Sequence, residues 1–388
     1  MKNLLILLPG LFLKSDYDRF GIKILKKNFS VKILDFSPWL APISWNSYAK
    51  DIYKCEEYIS INNKSEFLNF LNHNKSEIII DLLHVCKKTN WIRNKLKKNN
   101  NIFVNFNINL IPWGKKNLYH YLKFSFSIFI RPKKTILFIF QILKKKYYNF
   151  HKVKADLVLV GGLDVKAKTS KKINAHCMDY DIYLNLKNKP KINNKPYAVF
   201  VDENMVHHPD YNILGIDKPV TEKEYYPSLV KFFKKFENET KLPVYFAVHP
   251  KTSNEVINKL PNLLQGIVYK VGNTPELIKN SEVTLLHAST SLSFAILFNK
   301  PLIFLTSKSL NNSWMGPKVK NLAKFVNGNI INIDQSIEKK IDLKNSLNID
   351  TSKYKYYLDH FIKMPNSPNI PLWEIFSSEL KKYNLINK

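Results

Sequence analysis

The chain has 388 residues, 45% of them hydrophobic and 13% aromatic, enough to bury a core in about two domains and to exclude wholesale disorder. Its formal net charge is +29, which points to an anionic partner or a heavily solvated face. The three cysteines, Cys55, Cys86 and Cys177, are scattered, with neither disulfide-framework nor zinc-knuckle spacing, so a reducing compartment is expected.

The opening "MKNLLILLPGLFL" carries one lysine, is interrupted by Pro9-Gly10, and lacks a small-residue cleavage site. It reads as a buried strand, Asn3–Leu8, rather than a secretory leader, and a cytoplasmic location is expected. A helix is expected at Asp16–Lys27, a strand at Val31–Phe36, a helix at Glu66–Leu71 and a strand at Glu77–Leu82. A helix at Trp91–Lys98 and a strand at Ile102–Phe106 follow. Continuous apolar runs such as "LLILL" suit parallel strands covered on both faces, and the alternation implies a doubly wound α/β domain.

From Leu82 to Ala155 there is no Asp or Glu, while lysines and arginines recur from Lys87 to Lys154. Within this span, at about 115–153, lie the apolar runs Phe124–Ile130 and Ile136–Leu143, separated by "RPKK". Each is far short of the ~20 residues that span a bilayer. Aromatics mixed with lysines suit helices lying on an anionic membrane surface, which implies a peripheral protein of the inner face of the cytoplasmic membrane. The alternative is a helix pair packed on the domain with its lysines in water.

"ADLVLVGGLD" returns to a strand, and "NLKNKPKINNKPY" reads as a linker. The expected division is therefore a first domain at 1–190, a second at 195–350, and C-terminal helices at 351–388. The second domain is expected to place strands at Tyr197–Asp202, Pro243–Pro250, Gly266–Val271, Val283–Ser289 and Pro301–Thr306. Helices at Tyr225–Thr240, Thr274–Ser281 and Ser291–Asn299 lie between them. Ligands of open α/β sheets sit beyond the carboxyl ends of the strands. Three polar clusters fall there: Asp202-Glu203, His249-Pro250-Lys251, and His287 through Ser291.

His249 and Lys251 offer cationic or donor groups to an anionic oxygen. Ser289, Thr290 and Ser291 stand where a strand turns into a helix, suited both to capping it and to holding phosphate. His287 points into the same cleft or is a core histidine. No G-x-G-x-x-G, G-x-x-x-x-G-K-[ST] or H-E-x-x-H occurs, which argues against dinucleotide oxidoreductases, P-loop NTPases and zincins. His207 and His208 are adjacent and tend to point apart, so a metal site there needs other ligands.

The ordered set of an acidic pair, His-Pro and a Ser/Thr cluster resembles bacterial sialyl-, polysialyl- and Kdo-transferases of surface polysaccharides. "TPELIKNSEVTLLHASTSLSFAILFNKPLIFL" also resembles the nucleotide-sugar domain of such enzymes. The resemblance covers roughly Tyr197–Leu305 and implies a GT-B fold, two Rossmann-like domains facing a cleft. It further implies inverting transfer of an acidic sugar, nonulosonate or Kdo, from a CMP-sugar to a surface-glycan or glycolipid acceptor such as lipopolysaccharide or capsule, with no metal and no other cofactor. On that likeness His249 meets the phosphate, with Pro250, Lys251, His287, Ser289, Thr290 and Ser291 around the donor. Asp202 or Glu203 is the base. The family's acidic motif usually ends in Gly, where this chain has Asn204, and often belongs to the first domain, which makes Asp81 the rival base.

Three other readings compete. One is a GT-B enzyme using a nucleotide-diphosphate sugar. Another is a nucleic-acid-binding protein, suggested by charge but by no recognised motif. The third is a non-catalytic membrane-surface scaffold.

Overall fold

The computed structural model describes residues 1–98, 101–109, 111–112, 132–164, 171–191, 195–208, 211, 216–335 and 347–382. The expected helix over Phe124–Ile130 lies outside them.

Seven strands form the first sheet: β1 (Lys2–Leu8), β2 (Phe29–Asp35), β3 (Tyr58–Ser60), β4 (Ile78–Asp81), β5 (Ile102–Asn107), β6 (Leu157–Val160) and β7 (Lys172–Asn174). All pair in parallel, in the order β3-β2-β1-β4-β5-β6-β7. Six strands form the second: β8 (Ala198–Val201), β9 (Val244–Val248), β10 (Val268–Val271), β11 (Val283–Leu286), β12 (Leu302–Thr306) and β13 (Asn329–Asn332). They too are all parallel, in the order β10-β9-β8-β11-β12-β13. The fold is thus α/β, with two Rossmann-like domains. Each sheet reverses its winding once, between β1 and β4 and between β8 and β11, and such switch points are where these folds open a ligand crevice.

β1 explains why its sequence is apolar without alternation. Leu4, Ile6 and Leu8 enter the core on one face of the sheet, and Leu5 and Leu7 enter the core on the other. With both faces covered, successive side chains are all buried. The strands that sequence patterning misses are β3, β7 and β13, which are short and largely half-buried or exposed. Helices Asn254–Leu264 and Gly316–Val326 were also unforeseen.

The helix expected at Asp16–Lys27 is two, Lys14–Arg19 and Ile22–Leu25. They break at Gly21, whose φ of 53° is left-handed. A Cβ at Gly21 would stand 2.2 Å from Cδ1 of Trp373, so conformation and contact both demand glycine.

Trp373 belongs to the tail, which packs back across both domains. Helix Thr351–Tyr357 and the π turn Leu358–Ile362 place Tyr354, Tyr357, Phe361 and Ile362 in the second domain's core. Helix Leu372–Lys382 places Leu372, Trp373, Phe376 and Leu380 in the first domain's core. Trp373 is fully buried, and its indole Nε1–H donates to the carbonyl of Arg19 at 2.8 Å.

Candidate active site

A cavity of about 400 Å³ opens between the two domains. The carboxyl ends of the second sheet supply one wall: Asp202 after β8, His249, Pro250 and Lys251 after β9, Gly272–Pro275 after β10, and Ser289, Thr290 and Ser291 after β11. The facing wall is Leu13, Ser15, Asp16 and Arg19, from the segment after β1, with Asp179 from helix Met178–Leu186. The cavity therefore sits on the switch point of the second sheet and faces the loop that follows the first strand of the first.

Asp202 is 4% exposed. Its Oδ1 accepts the amide of Asn204 at 2.8 Å and its Oδ2 the amide of His249 at 3.4 Å. Burial pushes its carboxyl up to about 6, against those amide donations. Asn204 adopts a left-handed φ of 50°, a conformation open to asparagine at little cost.

His249 Nδ1 accepts the amide of Lys251 at 3.1 Å, which leaves the ring proton on Nε2. Burial, with help from His208 and Lys251, lowers the imidazole to about 3. The ring is neutral at pH 7, so what it can offer an anion in the cavity is an Nε2–H donor. His208 also lines the cavity, its ring 4.9 Å from that of His249. The adjacent His207 turns away, with Nε2 2.8 Å from Glu222 Oε2.

Ser289 and Ser291 form a local turn, the Ser291 amide donating to Ser289 Oγ at 3.2 Å. The helix beyond, Leu292–Leu297, has only six residues. What this corner can offer an anion is therefore hydroxyls rather than a long helix dipole.

Three sequence candidates do not join the cavity lining. His287 is 1% exposed. Its Nδ1–H donates to the carbonyl of Leu305 at 2.7 Å, and its Nε2 accepts from the Tyr225 hydroxyl at 3.0 Å. Both nitrogens are satisfied, so it is a core histidine; burial lowers it to about 4. Glu203 points its Oε1 at the amides of His287 and Ala288, at 2.9 and 2.7 Å. It braces the end of β11, and burial pushes its carboxyl up to about 8. Asp81 ends β4 in the first domain, where Arg93 Nε and Nη2 donate to its two oxygens at 2.7 and 3.1 Å. Its side chain is 1% exposed and Lys152 Nζ stands 3.4 Å away.

The wall of the first domain was not foreseen. Asp16 is half-buried and its Oδ2 accepts the amide of Leu13 at 2.9 Å. Burial raises its carboxyl above the ordinary value, against the Leu13 amide and the positive charges of Arg19 and Lys251. Arg19 Nη2 donates to Asp179 Oδ1 at 3.0 Å. The signal available was position: "KSDYDR" is the first polar segment after β1, hidden in an expected helix.

Among the described residues, no group of three or more His, Cys, Asp and Glu is placed to hold a metal ion. No family model and no curated protein matches the chain. Solved structures share its fold at low identity. The wall teichoic acid polymerase TagF superposes with a TM-score of 0.54 at 9% identity, over 98% of this chain and 89% of its own. The Staphylococcus aureus MnaA–UDP structure gives 0.51 at 14%, over 100% and 98%. The Methanocaldococcus jannaschii UDP-GlcNAc 2-epimerase, in complex with UDP-GlcNAc and UDP, gives 0.51 at 13%, over 99% and 100%. The architecture is GT-B along the whole chain.

Proposed function

We propose that the chain is an inverting, nucleotide-sugar-dependent glycosyltransferase whose donor is a nucleotide-diphosphate sugar. One observation carries the proposal: a single cavity sets anion-directed groups on one wall against a carboxylate on the other. His249 Nε2–H, Lys251 and the hydroxyls of Ser289, Thr290 and Ser291 face Asp16 and Arg19. Lys251 and the neutral donors beside it suit the phosphates of such a donor, while Arg19 on the facing wall is held by Asp179. Structural neighbours that hold UDP or UDP-GlcNAc at comparable fold similarity favour the same class. The CMP-sugar reading rests on the acidic-pair, His-Pro and Ser/Thr resemblance, and is the second reading.

In the reaction, the acceptor hydroxyl approaches from the first-domain side. Asp16 takes its proton as the new C–O bond forms at the anomeric carbon. The bond from that carbon to the phosphate breaks, and the nucleotide leaves with the electron pair. His249, Lys251 and the Ser/Thr corner stabilise the charge that develops on the leaving phosphate. Asp202 acts one step back: it holds the backbone amide of His249 and so aims the imidazole. Asp81, held by Arg93, is a structural anchor in this account, and Glu203 a brace.

The test is product analysis after incubation with UDP-, GDP- and CMP-sugars and a panel of glycan acceptors. Nucleoside-diphosphate release that requires an acceptor and adds one sugar to it is expected. Release of CMP alone would restore the acidic-sugar donor. An epimerised sugar nucleotide with no glycan product would overturn transfer, since the same fold serves an epimerase.

A further inference from the structure

The helix Pro132–Phe150 carries apolar side chains outward. Ile136, Phe140, Leu143, Tyr147 and Phe150 are 62, 63, 57, 60 and 84% exposed. At about 100° per residue, their spacing confines them to an arc of about 80°. Lys144 and Lys146 are exposed and flank that arc, each about 80° from its centre. A surface helix normally turns such a stripe toward the core; this one turns it to solvent.

The stripe does not hang on a loose tail. Asn90 Nδ2 donates to the carbonyl of Tyr148 at 2.8 Å. Two residues beyond the helix, Lys152 reaches the buried Asp81–Arg93 pair. The carboxyl end of the helix is thus tied to the first domain while its apolar face stays open. No helix among the described residues is long and apolar enough to cross a membrane.

We propose that this helix lies in the headgroup region of an anionic phospholipid bilayer, its apolar stripe sunk between the acyl chains. Charge selects this occupant. Between Leu82 and Ala155 there is no acidic residue, so the lysines beside the stripe are complementary to anionic lipid. A second copy of the same face would bring lysine against lysine. The inference does not depend on the transfer reaction proposed above.

Purified full-length chain is floated with vesicles of phosphatidylcholine and phosphatidylglycerol, and with phosphatidylcholine alone. Binding is expected to the anionic vesicles and to weaken as salt rises. Ile136→Asn/Phe140→Asn/Leu143→Asn/Tyr147→Asn is expected to lower binding about tenfold or more, the stripe supplying the apolar contact. Lys144→Glu/Lys146→Glu is expected to abolish the preference for the anionic lipid. Both variants should keep the wild-type melting temperature and the turnover of soluble substrates, which separates this test from that of the transfer reaction. Unchanged flotation of both variants overturns the proposal. So does a stripe variant that abolishes self-association, seen by ultracentrifugation, while vesicle binding persists.

Discussion

Asp202 and Asp16 divide a role that the sequence assigns to one acidic pair. Asp202 has both oxygens on backbone amides, whereas Asp16 lines the cavity from the first-domain wall. Asp16→Asn should cut turnover by about 10²–10⁴-fold and leave nucleotide binding intact. Asp202→Asn should instead change binding and turnover together, because it disturbs His249. Its stability effect has a defined sign. The folded carboxyl titrates near 6 against an ordinary 3.8, so the folded state binds the proton more tightly than the unfolded one. The contribution of Asp202 to stability is largest below pH 4, declines as pH rises to about 6, and is flat above. Urea unfolding of wild type and Asp202→Asn across this window should diverge in favour of the variant, by up to about 3 kcal/mol. A gap that narrows with rising pH would contradict the burial argument. For His249, ring NMR shifts should stay those of the neutral Nε2–H form from pH 5 to 8, and its alanine variant should lose most turnover with the fold intact. Asp202, His249 and the Ser289–Ser291 cluster were legible because each closes an apolar run, which marks a strand end. His287 and Glu203 close the same kind of run, and only their three-dimensional neighbours distinguish a core histidine and a brace from a ligand.

The C-terminal helix Leu372–Lys382 holds the first-domain wall of the cavity in place. On the first-domain side, Arg19 is tied through its carbonyl to Trp373 and through its guanidinium to Asp179. The C-terminal helix thus reaches back to set a residue more than three hundred positions earlier in the chain, a relation no local pattern announces. Trp373→Ala removes a fully buried side chain and should cost about 3–5 kcal/mol. Gly21→Ala forces a left-handed alanine against that same indole. It should lower the melting temperature, whereas Gly10→Ala, whose nearest Cβ neighbour is 3.9 Å away, should not. Equal effects of the two would remove the steric argument. The Asp81–Arg93 pair serves the other end of the domain, at the root of helix Pro132–Phe150. Removing the guanidinium by Arg93→Met leaves the buried carboxylate with Lys152 as its only charged partner among the described residues and should cost up to about 3–5 kcal/mol.

Across the whole molecule, both sheets were legible as alternating units, because parallel strands covered on two faces leave unbroken apolar runs. Of the four edge strands only β10 was, at Gly266–Val271, since β3, β7 and β13 are too short and too exposed to leave a pattern. The two sheets share one winding order, to which the first adds β7, so each has one reversal point; the cavity lies between that of the second and the loop after β1 in the first. The central claim, that this cavity takes the phosphates of a sugar nucleotide, is tested most directly by thermal unfolding with UDP, GDP and CMP, for wild type, His249→Ala and Ser289→Ala/Ser291→Ala. A ligand that binds only the folded state stabilises it by about 2.7 kcal/mol at a hundred times its Kd. A nucleoside diphosphate should raise the wild-type melting temperature in a concentration-dependent way, with the shift much reduced in both variants. No shift with any nucleotide, or an equal shift in wild type and variants, would contradict the account.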